Sequence, residues 1–256
     1  MVINSLQTSV LVEDLSAGYS SGKDIISGIT FEVNKGEILT LIGPNGGGKS
    51  TVLKAISGYI SRSGGRVELC GRRLEEFSRG ELAKTLSIML TERVRPELMT
   101  CYDVAAAGRY PYTGMFGALT DEDHSIVEDA LRSVNAEKLS DKYFDRISDG
   151  QRQRVLLARA LCQQPEILIM DEPTSYLDIR HKIMFFEVLR QQVERGQLTV
   201  IMSLHEPELA EKICDKVLCV KNGRVFRFGD PKEIFSEENI RELYDVPKEL
   251  YQKYFK

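Results

Sequence analysis

Hydrophobic and polar residues alternate along the first part of the chain in the manner of strands. The alternation covers residues 10–15 and 29–33, which predicts two strands with one buried face each. Residues 37–42 form an almost continuous apolar run, typical of a parallel strand buried on both faces. A helix is predicted over residues 49–57, and a further short strand over 67–71.

The middle of the chain has a helical pattern instead. It follows a strand predicted at residues 86–90. Thr120 is a suitable N-cap residue, with Asp123 three residues later as in a capping box. The acidic residues between them would interact favourably with the positive N-terminal end of a helix dipole, so a helix is predicted to begin here. Apolar residues then recur at helical spacing as far as Val134, and a second helix is predicted over residues 152–162.

Strand patterns return in the last third of the chain. Apolar runs at residues 167–170 and 198–202 predict buried strands, with a helix over 179–195 between them. Asn222-Gly223 predicts a hairpin turn between two strands. The charged tail from Pro231 onward is predicted to be helical.

The order of elements predicts an α/β fold with an inserted helical segment. A single domain is expected over residues 1–256, with the α/β core at 1–90 and 161–256 and the helical subdomain at 91–160. The strands near the N-terminus are expected to form an antiparallel β subdomain beside a P-loop NTPase (RecA-like) core.

Composition excludes several classes of protein. Hydrophobic residues make up 42% and charged residues 28% of 256 residues, as in soluble globular proteins. The net charge of −4 disfavours a nucleic-acid partner. No apolar run approaches the roughly 20 residues that span a bilayer, and the N-terminus lacks the pattern of a secretory signal. Five scattered cysteines without CxxC spacing are interpreted as small buried residues in a reducing compartment.

One glycine-rich loop carries the clearest chemistry. Gly43-Pro-Asn-Gly-Gly-Gly-Lys-Ser50 matches GxxxxGK[ST] between a predicted strand and a predicted helix. Glycines allow a tight loop whose N–H groups face an anion, and the helix N-terminus adds its dipole. Lys49 would pair with the β- and γ-phosphates, and the Ser50 hydroxyl would coordinate Mg²⁺. The predicted nucleotide contacts here are Gly43, Pro44, Asn45, Gly46, Gly47, Gly48, Lys49, Ser50 and Thr51.

Two carboxylates follow a predicted buried strand. Asp171 and Glu172 end the apolar run 167–170, and in open α/β sheets the carboxyl ends of strands face the ligand. Asp171 would hold Mg²⁺ through water, and Glu172 would act as general base toward the attacking water. An acidic turn without function is the alternative for such a pair, but the phosphate loop favours catalysis.

These motifs resemble those of the ATP-binding cassette (ABC) ATPases. Residues 147–151, Ile-Ser-Asp-Gly-Gln, resemble the LSGGQ signature, and Ser175-Tyr-Leu-Asp178 resembles the D-loop. His205 resembles the switch histidine. Tyr19 resembles the aromatic residue that stacks on adenine, with an ordinary packed aromatic as the alternative. The motifs occur in the order of the family, and the resemblance covers nearly the whole chain.

The resemblance implies a homodimer that sandwiches two ATP molecules with Mg²⁺. Lys49, Glu172 and His205 would be catalytic. Each site would join Lys49, Ser50, Asp171, Glu172 and His205 of one copy to Ser148, Gly150, Gln151 and the nearby Asp178 of the other.

Two positions depart from the family pattern. The Q-loop glutamine expected after the strand at residues 86–90 is absent, and we hypothesise that Thr91 or Glu92 replaces it, with Glu92 as a metal ligand. Asp149 replaces the first glycine of the signature. Because a carboxylate aimed at the γ-phosphate would repel it, we expect Asp149 to face away and to cap the following helix.

Further segments resemble one branch of ABC importers, those for iron chelates, haem and vitamin B12. Gly108-Arg-Tyr-Pro-Tyr-Thr-Gly114 resembles their GRxP segment, and residues 229–233 and 239–246 resemble their tail. The branch implies two separate transmembrane permease subunits, an external substrate-binding protein that acts indirectly, and a peripheral position on the cytoplasmic face of the inner membrane. Residues 91–100 and 109–116 are the predicted permease-facing lining.

Alternative interpretations exist for the aromatic segment and for the function of the chain. The aromatic residues in 109–116 could instead pack under the helical insertion. Another ABC transport system is the main alternative function, and a non-transport ABC ATPase is disfavoured by the short insertion, the single cassette and the net charge. A P-loop kinase or a non-cycling ATP-binding adaptor is disfavoured by the signature motif together with Glu172 and His205.

Overall fold

The computed structural model describes residues 7–19, 22–90, 96–114, 117–196 and 198–255. The strands are β1 Thr8–Ala17, β2 Ile26–Asn34, β3 Ile38–Ile42, β4 Arg62–Leu69, β5 Arg72–Arg73, β6 Leu86–Met89, β7 Ile167–Asp171, β8 Thr199–Ser203, β9 Lys216–Lys221 and β10 Arg224–Gly229. The α-helices are α1 Lys49–Ile56, α2 Arg79–Thr85, α3 Cys101–Ala106, α4 Asp121–Ser133, α5 Asp149–Cys162, α6 Ile179–Glu194, α7 Pro207–Ile213, α8 Pro231–Ile234, α9 Glu237–Tyr244 and α10 Lys248–Phe255.

The predicted fold class is confirmed, and the chain divides into two compact units. The first unit draws on residues 1–76 and 199–256, and the second on residues 77–198. The first contains an antiparallel sheet of order β2-β1-β4-β5, the predicted N-terminal β subdomain. The predicted boundaries of core and insertion, at residues 91 and 160, stay a prediction.

The first unit also holds four strands of a parallel-rich sheet, in the order β10-β9-β3-β8. β3 pairs in parallel with both β8 and β9, and every residue of β3 and β8 is buried. This burial explains the continuous apolar runs at these positions. Asn222 and Gly223, both with positive φ, form the predicted hairpin turn between β9 and β10.

The second unit pairs β6 in parallel with β7 and contains helices α2 to α6. Thr120 and Asp123 form the predicted capping box of α4, in which each side chain accepts the other residue's backbone N–H. Helices α5 and α6 lie where the apolar periodicity predicts them. Helix α2 was not predicted, because its seven residues span only about two turns and are too few to show a helical repeat of apolar residues.

The described helices are all too short or too polar to cross a membrane. Four of the five cysteines are buried, as expected, and Cys70 is partly exposed.

Candidate nucleotide-binding site

The phosphate loop between β3 and α1 depends on its glycines. Gly43, Gly46 and Gly48 have φ angles of 144°, 75° and 109°, which side chains disfavour. A Cβ atom on Gly43 would lie 2.0 Å from the carbonyl oxygen of Val220, and one on Gly48 would lie 2.8 Å from Cγ2 of Ile26. Both the backbone conformation and the packing therefore exclude larger residues at Gly43 and Gly48, as the motif predicts.

Lys49 begins α1 and reaches back across the loop. It is 5% exposed, and its Nζ donates hydrogen bonds to the carbonyl oxygens of Gly43 at 2.7 Å and Pro44 at 3.1 Å. Gly48 stands at the N-cap of α1, where no side chain caps the helix. The Lys49 ammonium group, fixed in place beside the positive end of the helix dipole, can bind the negatively charged phosphates of a nucleotide.

The β9–β10 hairpin supports the phosphate loop, and this contact was not predicted from the sequence. The Gly223 N–H donates to the carbonyl oxygen of Gly47 at 2.9 Å, and the Gly223 carbonyl oxygen accepts from the Ser27 N–H at 2.8 Å. A Cβ atom on Gly223 would lie 2.0 Å from the carbonyl oxygen of Ile25. The Asn-Gly dipeptide indicated the turn but carried no signal for what the turn contacts.

Tyr19 is accessible, as stacking on a base requires. Its exposed fraction is 44%. The Nζ atom of Lys54 lies 5.8 Å from the centroid of the Tyr19 ring and 5.6 Å from that of Tyr59. Because Lys54 belongs to α1, this cation–π contact joins Tyr19 to the helix that begins at the phosphate loop.

His205 follows β8 and is exposed. β3 and β8 are parallel neighbours, and the Leu204 N–H donates to the carbonyl oxygen of Leu41 at 3.1 Å. Since the carboxyl ends of parallel neighbours share one edge of a sheet, His205 and the phosphate loop lie at the same edge of their unit.

The strand carboxylates lie in the second unit. Asp171 is the last residue of β7 and is 6% exposed. Glu172 follows with a φ of 50°, a conformation that costs a glutamate on the order of 1–3 kcal/mol. The Ser175 hydroxyl donates to Oε2 of Glu172 at 3.4 Å. A strained backbone at the predicted general base supports a functional interpretation over that of an ordinary acidic turn.

The signature segment begins α5. Ser148 Oγ accepts from the Gln151 N–H at 3.3 Å, and Gln151 Oε1 accepts from the Ser148 N–H at 3.0 Å. A Cβ atom on Gly150 would lie 3.5 Å from Leu177, an ordinary contact. The packing within this chain therefore has room for a larger residue at position 150. The predicted contact with the nucleotide of a partner copy would supply a separate reason for glycine there.

Asp149 does not cap α5, so that part of the expectation is wrong. Ser148 provides the cap, and Asp149 Oδ1 instead accepts from Nη1 of Arg152 at 2.6 Å. Arg152 also donates to the carbonyl oxygens of Phe144 and Asp145. The carboxylate is engaged within its own helix, and its orientation relative to a γ-phosphate stays a prediction.

Asp178 of the D-loop caps α6. Its Oδ1 accepts from the His181 N–H at 2.9 Å and lies 2.8 Å from Nδ1 of the same residue. The His181 backbone N–H is the largest cause that lowers the pKa of Asp178. This local role is compatible with a position at a dimer interface, which stays a prediction.

Arg109 is buried, so the expectation that it lines a permease-facing groove is wrong. It is 5% exposed, its Nε donates to Asp123 Oδ1 at 2.7 Å, and its Nη1 donates to the carbonyl oxygen of Cys162 at 2.7 Å. The ring of Tyr112 lies 4.0 Å from the guanidinium carbon. Tyr110, by contrast, is 67% exposed. The GRxP-like segment thus contains both a structural anchor and an accessible side chain.

Several predicted residues lie outside the described part of the chain. These are residues 91–95, which include Thr91 and Glu92, together with Met115 and Phe116. The replacement of the Q-loop glutamine and these parts of the groove therefore stay predictions. Within the described residues, no group of three or more His, Cys, Asp or Glu side chains could hold a metal ion. Mg²⁺ that binds with nucleotide phosphates needs only one or two protein ligands.

Comparisons with known proteins agree with these motifs. The ABC transporter family model matches residues 26–175. A Methanocaldococcus jannaschii protein, "Uncharacterized ABC transporter ATP-binding protein MJ0873", is 45% identical over 94% of this chain and 83% of its own length. The iron(3+)-hydroxamate import ATP-binding protein FhuC of Bacillus subtilis is 33% identical over 97% of this chain and 90% of its own. The structure of cbiO1 from Clostridium perfringens, part of the ABC transporter complex cbiONQ, is 28% identical with a TM-score of 0.78, over 97% of this chain and 99% of that one. The chain therefore belongs to the ABC transporter family, as one of its ATP-hydrolysing, ATP-binding proteins.

Proposed function

We propose that this protein is the ATP-hydrolysing subunit of an importer for an iron complex, such as a siderophore or haem, or for vitamin B12. In this role it drives a separate transmembrane permease. The observation that carries the proposal is the 33% identity to an iron(3+)-hydroxamate import protein over 97% of the chain. The GRxP-like segment of residues 108–114 and the tail supply independent support from the sequence.

The proposed roles at the nucleotide follow from the chemistry of each side chain. Lys49 contacts the phosphates, Glu172 acts as general base, and His205 binds near the γ-phosphate. Ser50 and Asp171 fit Mg²⁺, because it prefers hydroxyl and carboxylate oxygens. When bound, Mg²⁺ would neutralise charge on the phosphates. Tyr19 stacks on adenine.

The proposed assembly places two copies of this chain against two permease subunits. Ser148, Gly150, Gln151 and Asp178 act on the nucleotide of the partner copy. The pair would work at the cytoplasmic face of the plasma membrane, and an external binding protein would act on the permease rather than on this chain. ATP then serves as a ligand that favours the closed dimer, and hydrolysis reverses that preference.

Phosphate release from MgATP by the purified chain tests the catalytic part. Lys49→Ala and Glu172→Gln should each lower the rate by about 100-fold or more, because both act on the charge that develops in the transition state. Lys138→Ala, at an exposed position of the second unit, is the matched control and should keep the wild-type rate. A wild-type chain that hydrolyses no ATP, or equal losses in all three variants, would contradict the proposal.

Uptake tests the import part. Vesicles that contain this chain together with its permease subunits are offered iron hydroxamate, haem and cobalamin. ATP-dependent uptake of one of these, lost in Lys49→Ala, is the expected result. Uptake of none of them, with ATP hydrolysis intact, would refute the assignment to this branch while leaving the ATPase role in place.

A further inference from the structure

One ammonium group in the first unit lies over two exposed tyrosine rings. Nζ of Lys54, in the last turn of α1, is 5.8 Å from the centroid of the Tyr19 ring and 5.6 Å from that of the Tyr59 ring. Both distances lie within the roughly 6 Å over which an aromatic face attracts a cation. Because the two rings are 44% and 56% exposed, burial alone does not fix either of them, and the shared cation supplies a further contact.

The backbone holds Tyr59 against the end of α1. The Tyr59 N–H donates to the carbonyl oxygen of Lys54 at 2.9 Å, and the Gly58 N–H donates to that of Ala55 at 3.2 Å. Gly58 has a φ of 72°, the left-handed conformation that commonly ends a helix. This local turn places the Tyr59 ring beside the lysine side chain of the same helix.

Tyr19 belongs to the segment that joins β1 to β2, far from α1 along the chain. The Ile25 N–H donates to the carbonyl oxygen of Ala17 at 2.8 Å, and a Cβ atom on Gly18 would lie 2.2 Å from the carbonyl oxygen of Lys23. The backbone that leads to Tyr19 is therefore closely packed, whereas its side chain still has rotatable bonds. Ordering a side chain on binding reduces affinity, and a side chain held in advance avoids that loss.

A basic residue in the last turn of a helix also interacts favourably with the helix dipole. The dipole explains the charge of Lys54 but not the two rings that share its ammonium group. We propose that Lys54, supported by the ring of Tyr59, is a positioning residue that holds the Tyr19 ring ready for a base to stack on its opposite face. This rests on the proposed function, in which Tyr19 stacks on adenine.

Lys54→Met is the test, because it removes the charge and keeps a long side chain. By titration calorimetry it should weaken the binding of MgADP, which is not hydrolysed during the titration, by about 2- to 5-fold, the effect of one exposed cation–π contact. Magnesium pyrophosphate, which has no base, should bind to this variant as to the wild type. Equal weakening of both probes would place the effect at the phosphates or in α1, and would overturn the inference.

Lys232→Met is the matched control, since it removes an exposed lysine of the same unit. It should bind both probes like the wild type, and a loss equal to that of Lys54→Met would assign the effect to net charge and overturn the inference. Lys54→Arg should stay within about twofold of the wild type, because a guanidinium group also binds to an aromatic face. Tyr59→Leu should weaken MgADP binding, whereas Tyr59→Phe, which keeps a ring, should not.

A double variant separates the inference from the proposed function. In a chain that carries Tyr19→Leu, Lys54→Met should cause no further loss of MgADP affinity, because the ring that it positions is gone. In the single variant Lys54→Met, KM for ATP should rise with kcat within about twofold, whereas a loss of folded protein would lower kcat and leave KM unchanged. Wild-type affinity in Lys54→Met, beside a loss in Tyr19→Leu, would overturn the inference alone. Wild-type affinity in Tyr19→Leu would overturn the proposed role of Tyr19, and the inference with it.

Discussion

Replacement of the buried Arg109 by leucine should destabilise the protein strongly. Arg109 donates to Asp123 Oδ1 and to the carbonyl oxygen of Cys162, both at 2.7 Å, and to Gln164 Oε1 at 3.0 Å. Removal of one partner of a buried ion pair typically costs about 3–5 kcal/mol. Thr120 continues to donate to the carboxylate through its N–H at 3.0 Å and its hydroxyl at 2.8 Å. We therefore expect the lower end of that range, about 3 kcal/mol.

The assay is urea unfolding followed by circular dichroism, with free energies compared at a common m-value. The matched control is Arg132→Leu, whose ion pair with Asp129 is about two-thirds exposed on both sides. This control should change the free energy of unfolding by less than about 0.5 kcal/mol. A cost below about 1 kcal/mol for Arg109→Leu, or a cost equal to the control's, would refute the interpretation of Arg109 as a structural anchor.

Acid titration gives a second check on the same pair. The Thr120 backbone N–H, then the Arg109 and Thr120 side chains, lower the pKa of Asp123 to about 2. The unfolded value is near 4, so this contribution is fully present above pH ~4 and is lost as the pH falls toward about 2. Arg109→Leu should raise the pKa of Asp123 and so flatten the dependence of stability on pH between these values. An unchanged slope would contradict the pairing.

Three further predictions concern the loop, the dimer and the thiols. Gly43→Ala places a Cβ 2.0 Å from a carbonyl oxygen and should weaken MgATP binding at least ~10-fold, whereas Gly80→Ala, with nothing within 4 Å, should bind like the wild type; equal affinities would contradict this. Glu172→Gln should accumulate an ATP-bound dimer by light scattering, and a monomer in saturating ATP would count against the sandwich. Burial raises the pKa of the Cys162 and Cys219 thiols to about 12, so near pH ~8 the partly exposed Cys70 should be the single thiol that reacts quickly with DTNB; rapid reaction of a second thiol would show that the buried cysteines open readily.

Local patterns were enough to predict the phosphate loop and the elements around it. The loop needs glycine where φ is positive, and the sequence has glycine at each of those positions, 43, 46 and 48. The strands β3, β7 and β8 are buried throughout, so each appears in the sequence as an apolar run. The start of α4 was predictable from Thr120 and Asp123, because a capping box joins residues only three positions apart.

Contacts between distant segments had no such local signal. Asp123 suits a helix cap on its sequence, but its pairing with Arg109, and the contact of Arg109 with Cys162 53 residues away, arise only when the elements pack. Packing likewise brings Gly223 to Gly47. A side chain's burial and its partners depend on which surfaces meet in three dimensions, whereas backbone conformation and apolar spacing depend on neighbours along the chain. The chemistry of the nucleotide loop was therefore visible in the sequence, and the residues that hold it in place became visible only in the folded chain.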